Sequence, residues 1–251
     1  MPLHPCTVLI LFCLVVALST TAFAQAAATS RFALDLNVGA QTLPSPRTDT
    51  TDFELFAESG NLMGTQTIGP DTVYDGAVAM RLAGWFGVGI AASFLQGRET
   101  ATVTSAIPNP FFFDFHRTVT SSVPGLVHSE LAIHPQAQFW IPLSSSLRFT
   151  FAFGPTFFDA RQDIVTGLTT SESGFPFDEV SVESHTTDGI SVNGVGYNVS
   201  FDLSYFVARS LGLGILARYS RATPAFVLDG SFHPAIELGG LHLAGGLRFK
   251  F

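Results

Sequence analysis

Nine ionisable side chains, Asp35, Arg81, Glu130, His134, Arg148, Asp202, Arg218, His242 and Arg248, stand at alternate positions in segments whose other alternate positions are apolar. Successive side chains on a β-strand point to opposite faces, so each of these groups shares a minority face opposite an apolar one. Carboxylates, guanidinium groups and imidazoles gathered on one side can neutralise each other as a packed polar plug. They can also form a charged gate along a narrow ion path. Asp35, Arg81, Asp202 and Arg248 lie at a similar depth from the ends that meet short turns. If the first, second and last strands are neighbours, Arg248, Asp35 and Arg81 meet. An unpaired buried charge is very costly, so the carboxylate needs such partners. Glu130, His134, Arg218 and His242 fall in a second layer. Catalytic patterns are absent: there is no HExxH, GxSxG, Walker loop or paired-cysteine metal spacing. His128 and Ser129 are adjacent and therefore face opposite ways, so they make no dyad within one strand. The outward positions offer only Ser129 as a nucleophile, with no outward histidine beside it. No enzyme, cofactor or metal site is expected.

The elements that position these groups are eight alternating stretches. The first runs from Arg31 to Ala40, with Phe32, Leu34, Leu36 and Val38 on one face and Asp35 and Asn37 on the other. The second covers about Tyr74 to Gly84 and the third Val88 to Phe94. The fourth spans about Leu126 to Ile141, with His128, Glu130, His134, Gln136 and Gln138 inward; Pro135 predicts a bulge or an unpaired amide there. The fifth, from Leu147, turns Phe149, Phe151, Phe153 and Phe157 outward. The sixth covers Gly194 to Tyr205, the seventh Leu211 to Ser220 and the eighth Leu241 to Phe251. Connections alternate between long and short. The long ones are 41 to about 73, 98 to 124, 163 to about 190, and the stretch up to about Ala235. The short ones are Gly84–Gly87, Pro142–Ser145 and Val207–Ser210. Gly194/Gly196 and Gly212/Gly214 fall on inward parity, where small residues let strands crowd a narrow interior.

The chain is 13% charged with a net charge of −8 and has 25 Phe and 23 Gly in 251 residues. High apolarity without long apolar runs is the signature of strands that alternate against lipid. The acidic balance and the lack of a basic cluster exclude nucleic-acid binding. At the start, the apolar run Val8–Ala17 and the small-residue pattern Ala22-Phe23-Ala24 predict a signal peptide over 1–24, cleaved after Ala24. The run is too short to span a bilayer as a helix, though no Lys or Arg precedes it and a retained anchor is the alternative. Both cysteines, Cys6 and Cys13, lie in that segment, so the mature chain, 25–251, has no thiol chemistry. A soluble eight-stranded barrel of lipocalin type would turn the apolar face inward. Its solvent face would then be mostly Gly, Ala, Ser and Asn, a poor solvated surface.

With eight strands, alternating connections and a last strand that ends Leu247-Arg248-Phe249-Lys250-Phe251, the chain resembles the small OmpA-type and OmpX-type outer-membrane β-barrels. The resemblance covers the mature length and stops at the eighth strand, without the peptidoglycan-binding domain of full-length OmpA proteins. It implies an all-β fold, an eight-stranded antiparallel up-and-down transmembrane barrel in the outer membrane of a Gram-negative bacterium, monomeric and free of cofactors. It implies outer-membrane lipid, lipopolysaccharide and the barrel assembly machinery as partners, with Phe249 and Phe251 as the assembly signal. The expected role is structural or surface-interacting, through extracellular loops and with the interior plugged; a narrow ion or small-solute channel is the alternative.

The long loops are the other place for function. The first carries Asp49, Asp52, Glu54, Glu58 and Asp71; the third carries Glu172, Asp178, Glu179, Glu183 and Asp188. Such residues are solvated, or they bridge divalent cations to lipopolysaccharide. The second contains Phe111, Phe112, Phe113 and Phe115 in a segment that should face water. An exposed patch of that size promotes aggregation, so a cap folded over the barrel mouth is expected, with an adhesive patch as the alternative.

Overall fold

The computed structural model describes residues 30–42, 45–68, 71–224, 226–228, 231–233 and 237–251, so the expected signal peptide lies outside the described residues. The strands are β1 (Phe32–Gln41), β2 (Ser45–Leu55), β3 (Glu58–Ile68), β4 (Thr72–Ala83), β5 (Phe86–Pro108), β6 (His116–Pro142), β7 (Leu147–Glu172), β8 (Val180–Phe206), β9 (Leu211–Ala222), β10 (Phe226–Leu228), β11 (Ser231–His233) and β12 (Leu238–Lys250). All pairings are antiparallel. Eight strands close a ring in the order β5-β4-β1-β12-β9-β8-β7-β6, with β6 returning to β5. The β2–β3 hairpin adds to the far half of β5, and β10–β11 form a small separate hairpin.

Closure runs between β1 and β12, in a register that sets Asp35 beside Arg248 and Leu34 beside Phe249. The backbone of Phe251 completes the seam: its N–H donates to Phe32 O at 3.0 Å, and its carbonyl accepts from Arg31 N at 2.6 Å and Phe32 N at 3.1 Å. Within the ring no strand edge is left with unpaired amides; β2 and the part of β8 before Tyr197 are edges of the sheet beyond it.

The short turns fall where the sequence places them, but the long connections do not stay irregular. β5 to β8 are 23, 27, 26 and 27 residues long, whereas β1, β4, β9 and β12 are 10 to 13. Stretches 98–124 and 163–190, expected as loops, are mostly strand, and only residues 109–115 and 173–179 connect them. Most of the stretch 41–73 is the β2–β3 hairpin. The result is a tall wall rising from one side of the ring, in the order β2-β3-β5-β6-β7-β8.

Along this wall the two faces exchange character. Near the short turns, neighbours Ala92, Ile133, Phe157 and Val195 line up across four strands on the outside. One step farther, at Phe94, Leu131, Asp159 and Asn193, the outer row is mixed. At Gln96, Ser129, Arg161 and Ser191 it is polar. The interior changes in the opposite sense. It is polar beside the apolar outer band. Above that band it holds two apolar clusters, one of Ala132, Phe158, Ile164, Ile190, Val192 and Leu238 with smaller neighbours, the other of Leu62, Val103, Val123, Leu126 and Val165 with Phe53 and Leu168 packed on it. On β8 the apolar outer band runs from Val195 to Tyr205, matching the roughly 9–11 tilted residues that cross a bilayer core.

Pro135 introduces no bulge. It faces Pro155 across the β6–β7 pairing, and the ladder is interrupted between Ile133↔Phe157 and Ala137↔Phe153 but resumes in the same register. Two prolines opposite each other remove two donors without changing the strand count. Asn198 reaches across from β8 to take the freed carbonyls, donating to Gly154 O at 3.0 Å and Pro155 O at 2.9 Å. The bulge lies at Gly125 instead, where φ is +85° and the β5–β6 register shifts. Glycine adopts that backbone without strain.

Candidate functional site

Alternation on β1, β8 and β12 sends Asp35, Asp202 and Arg248 into the interior, and the closed ring brings them together. Arg248 is 0% exposed. Its Nε donates to Asp202 Oδ2 at 3.0 Å, its Nη2 pairs with the same oxygen, and Nε stands 3.7 Å from Asp35 Oδ1. Ser204 donates to the other oxygen of Asp202. Gly214 on β9 leaves the room this guanidinium occupies, since a Cβ there would lie 2.5 Å from Arg248 Nε.

Arg81 does not join this group. It stacks on the inward ring of Trp140, its guanidinium carbon 4.8 Å from the ring centre. Arg148 lies over the same ring and over Phe206. Trp140 shares the inward parity of Gln138, and its Nε1 donates to Gln138 Oε1 at 2.9 Å. An indole face attracts cations, and this one sits between the two arginines and the carboxylate pair.

Higher up, Arg218 pairs with Asp75, a residue the sequence reading passed over although it shares inward parity with Ala77. Asn37 donates to the other Asp75 oxygen at 2.9 Å. His242 sits beside Arg218 in the β9–β12 register and is buried, with neither ring nitrogen bonded to a partner among the described residues. Glu130 accepts from Gly239 N at 2.9 Å. His134 is fully buried between Ser93 Oγ, 3.0 Å from Nε2, and Thr156 Oγ1, 2.9 Å from Nδ1. A serine within reach of an imidazole is the geometry of an activated nucleophile. Here the orienting group is a hydroxyl rather than a carboxylate, and both partners are shut inside the barrel. Gln136 donates to Asn198 Oδ1 at 2.6 Å, and Asn198 in turn to Thr156 Oγ1 at 3.0 Å. Three bonded groups, Arg248–Asp202–Ser204, Arg218–Asp75–Asn37 and the set around His134, Gln136 and Asn198, thus draw on all eight strands of the ring.

The tip of the tall wall is the second candidate. Phe111, Phe112, Phe113 and Phe115 are 44–77% exposed, as are Phe56 and Phe175 from the two neighbouring turns. A cap that buries its aromatics is therefore not what forms. The turn is nonetheless well held. Asn109 Oδ1 accepts from Phe111 N at 2.9 Å and Phe112 N at 3.0 Å, and its Nδ2 donates to Phe177 O at 3.1 Å. Buried Arg117 pairs with Glu172 and donates to Phe177 O and Pro108 O. Glu58 Oε1 accepts from Asp114 N at 2.7 Å. The rings meet edge to face, Phe111 with Phe112 at 5.1 Å and with Phe175 at 5.6 Å. Of the acidic residues expected to bridge cations, Glu58, Glu172 and Asp188 are engaged by protein donors. Among the described residues no three His, Cys, Asp or Glu gather as a metal-ligand set.

Phe249 and Phe251 lie at the short-turn rim. Phe249 is half-buried between Leu34 and Leu211, and the ring of Phe251 is exposed.

The fold is similar to that of outer membrane protein OprG from Pseudomonas aeruginosa (9% identity, TM-score 0.47, 88% of this chain and 96% of that one). It is similar to Neisserial surface protein A (11%, 0.44, 88% and 97%) and to the outer membrane protease OmpT from Escherichia coli (11%, 0.41, 88% and 97%). No protein-family model matches the chain, and no curated protein matches it significantly in sequence.

Proposed function

We propose that this chain is an integral outer-membrane β-barrel, exported by a signal peptide over 1–24, that acts as a non-enzymatic surface protein through its long-strand end. One observation carries the reading: the same strands turn apolar residues outward near the short turns and inward at the tall wall. The first arrangement suits lipid, because outward apolar residues pack on acyl chains while the interior bonds itself. The second suits water on the outside, as in a soluble β-protein. The short turns and both ends of the described chain then face the periplasm, and the wall stands above the cell surface. Outward Trp85 and Tyr205 fall at the periplasmic interface and Tyr197 and Tyr219 toward the outer one, where aromatic belts sit.

Within the membrane band, eight strands leave an interior about wide enough for side chains alone, and the bonded groups described above occupy it. The interior is a structural plug rather than a conduit. The acidic residues of the wall favour divalent cations and, through them, lipopolysaccharide. The exposed phenylalanines form an adhesive patch, since an apolar area that solvation does not favour marks a contact surface. Purified protein in planar bilayers tests the plug. A silent membrane is expected; steady conductance that changes in Arg248→Gln would establish the channel reading instead. Phe111→Ser with Phe113→Ser should leave the heat-dependent gel shift of a folded barrel intact and reduce cell attachment to apolar surfaces. Unchanged attachment would remove the adhesive role.

A further inference from the structure

Three cations converge at the short-turn mouth, and among the described residues no Asp or Glu lines the cup they share. The guanidinium carbons of Arg81 and Arg148 stand 4.8 Å and 5.3 Å from the centre of the Trp140 ring. Arg148 is also 5.0 Å from the Phe206 ring, over which the Lys250 ammonium sits at 3.8 Å. Two aromatic rings thus hold three like charges apart around a cup of about 100 Å³, whose remaining wall includes Ser30 and Ser144–Ser146. A wider hollow that shares Ser30, Ser145, Ser146, Phe206 and Lys250 with the cup adds Val207–Ser210, Arg209 among them, and Phe251. Two inward carboxylates deeper in the barrel, Asp35 and Asp202, lie closest to Arg248 and also attract Arg148, but neither lines the cup. This end is locally cationic in a chain whose net charge is −8.

Arg148 is 8% exposed, and its Nε, like that of Arg81, has no hydrogen-bond partner among the described residues. Ring faces attract the charge but accept no directed hydrogen bond comparable to an oxygen. A buried donor without an acceptor is costly, and a buried guanidinium more so. An anion with several acceptor oxygens meets this deficit: the planar fork of an arginine takes two of its oxygens and an ammonium a third.

We infer that the short-turn mouth is a binding site for a phosphate-type oxyanion, held between Arg81, Arg148 and Lys250 with serine hydroxyls as neutral donors. Free phosphate can supply that chemistry, and so can the headgroup of an anionic lipid at the adjoining interface. The mouth faces the periplasm only on the orientation proposed above, but the chemistry of the cup does not depend on that orientation.

The chain has two tryptophans, Trp85 and Trp140, so Trp85→Phe leaves a single reporter in the cup. The folded barrel in non-ionic detergent is titrated with inorganic phosphate at constant ionic strength, following Trp140 emission and the arginine Nε–H resonances. A saturable change is expected. It should be lost in Arg148→Gln and weakened about tenfold or more in Arg81→Gln and in Lys250→Gln, the loss of one charge-assisted hydrogen bond each. Should Arg148→Gln fail to give the heat-dependent gel shift, the other two variants, at partly exposed positions, carry the test. In a second arm the barrel is placed in phosphatidylcholine vesicles with and without phosphatidylglycerol. A response to the anionic lipid identifies a headgroup site, and a response to phosphate alone a free-anion site. No saturable response in either arm, or one that Arg81→Gln and Lys250→Gln leave unchanged, overturns the proposal whether or not the barrel reading stands.

Discussion

Removing the guanidinium of Arg248 takes from Asp202, and from Asp35 beside it, the only cation paired with them among the described residues. Breaking one side of a buried pair in this way costs about 3–5 kcal/mol, because the remaining charge is left uncompensated. Arg248→Met should therefore lower the unfolding free energy by that amount in urea titrations of vesicle-embedded protein. Adding Asp202→Asn and Asp35→Asn should restore much of it. Gly214→Val should act on the same pair without touching it, by filling the guanidinium's space. Recovery in the triple variant separates a charge effect from a packing effect. At this scale the sequence was partly readable. That Asp35 and Arg248 lie side by side follows from parity and from closure of the first strand on the last. Where Arg81 goes does not follow, because the attraction of the Trp140 face depends on ring orientation and distance rather than on spacing. Asp75 was readable from parity and was missed because it stands at the edge of its strand, next to a loop that turned out to be a hairpin.

At the scale of the element, the exchange of faces makes opposite demands on neighbouring parts of one sheet. Ile215 is 67% exposed in the apolar band, whereas Thr102 is outward on the wall. Ile215→Arg should cost about 2–4 kcal/mol, the penalty for a cation near the bilayer midplane. Thr102→Arg should fall within about 0.5 kcal/mol of wild type, as surface changes in water do. Equal costs in refolding assays would mean that the membrane boundary is misplaced. The seam makes a different prediction. Phe249→Ser with Phe251→Ser removes the aromatic rim of the closing strand and should sharply reduce the heat-shifting species in outer-membrane fractions. Lys250→Ser, inward on the same strand, should assemble far better. The wall explains why the sequence predicted loops where strands stand. On β5, apolar residues occupy even positions up to Phe94 and odd positions from Leu95 onward, so the period survives but its phase flips. On β6, Pro124-Gly125 resembles the end of a loop and is a bulge within a continuous strand. A change of phase looks like a loss of pattern when the apolar face is expected to stay on one side.

For the molecule as a whole, the central claim is a division along one set of strands: a lower half in lipid and an upper half in water, with contact made by the tip. Both cysteines of the chain precede residue 25, in the segment proposed to be removed, so cysteines introduced elsewhere are single reporters. The most direct measurement places them one at a time at exposed positions of β8, from Thr187 through Ser191 and Asn193 to Val195, Phe201 and Leu203, and at Phe113 on the tip. Intact cells are then treated with a membrane-impermeant maleimide. The account predicts strong labelling at 113, 187 and 191, a fall at 193 and 195, and none at 201 and 203 until the membrane is dissolved. Labelling that continues through 201 and 203 in intact cells, or that is absent at 113 and 187, would contradict it.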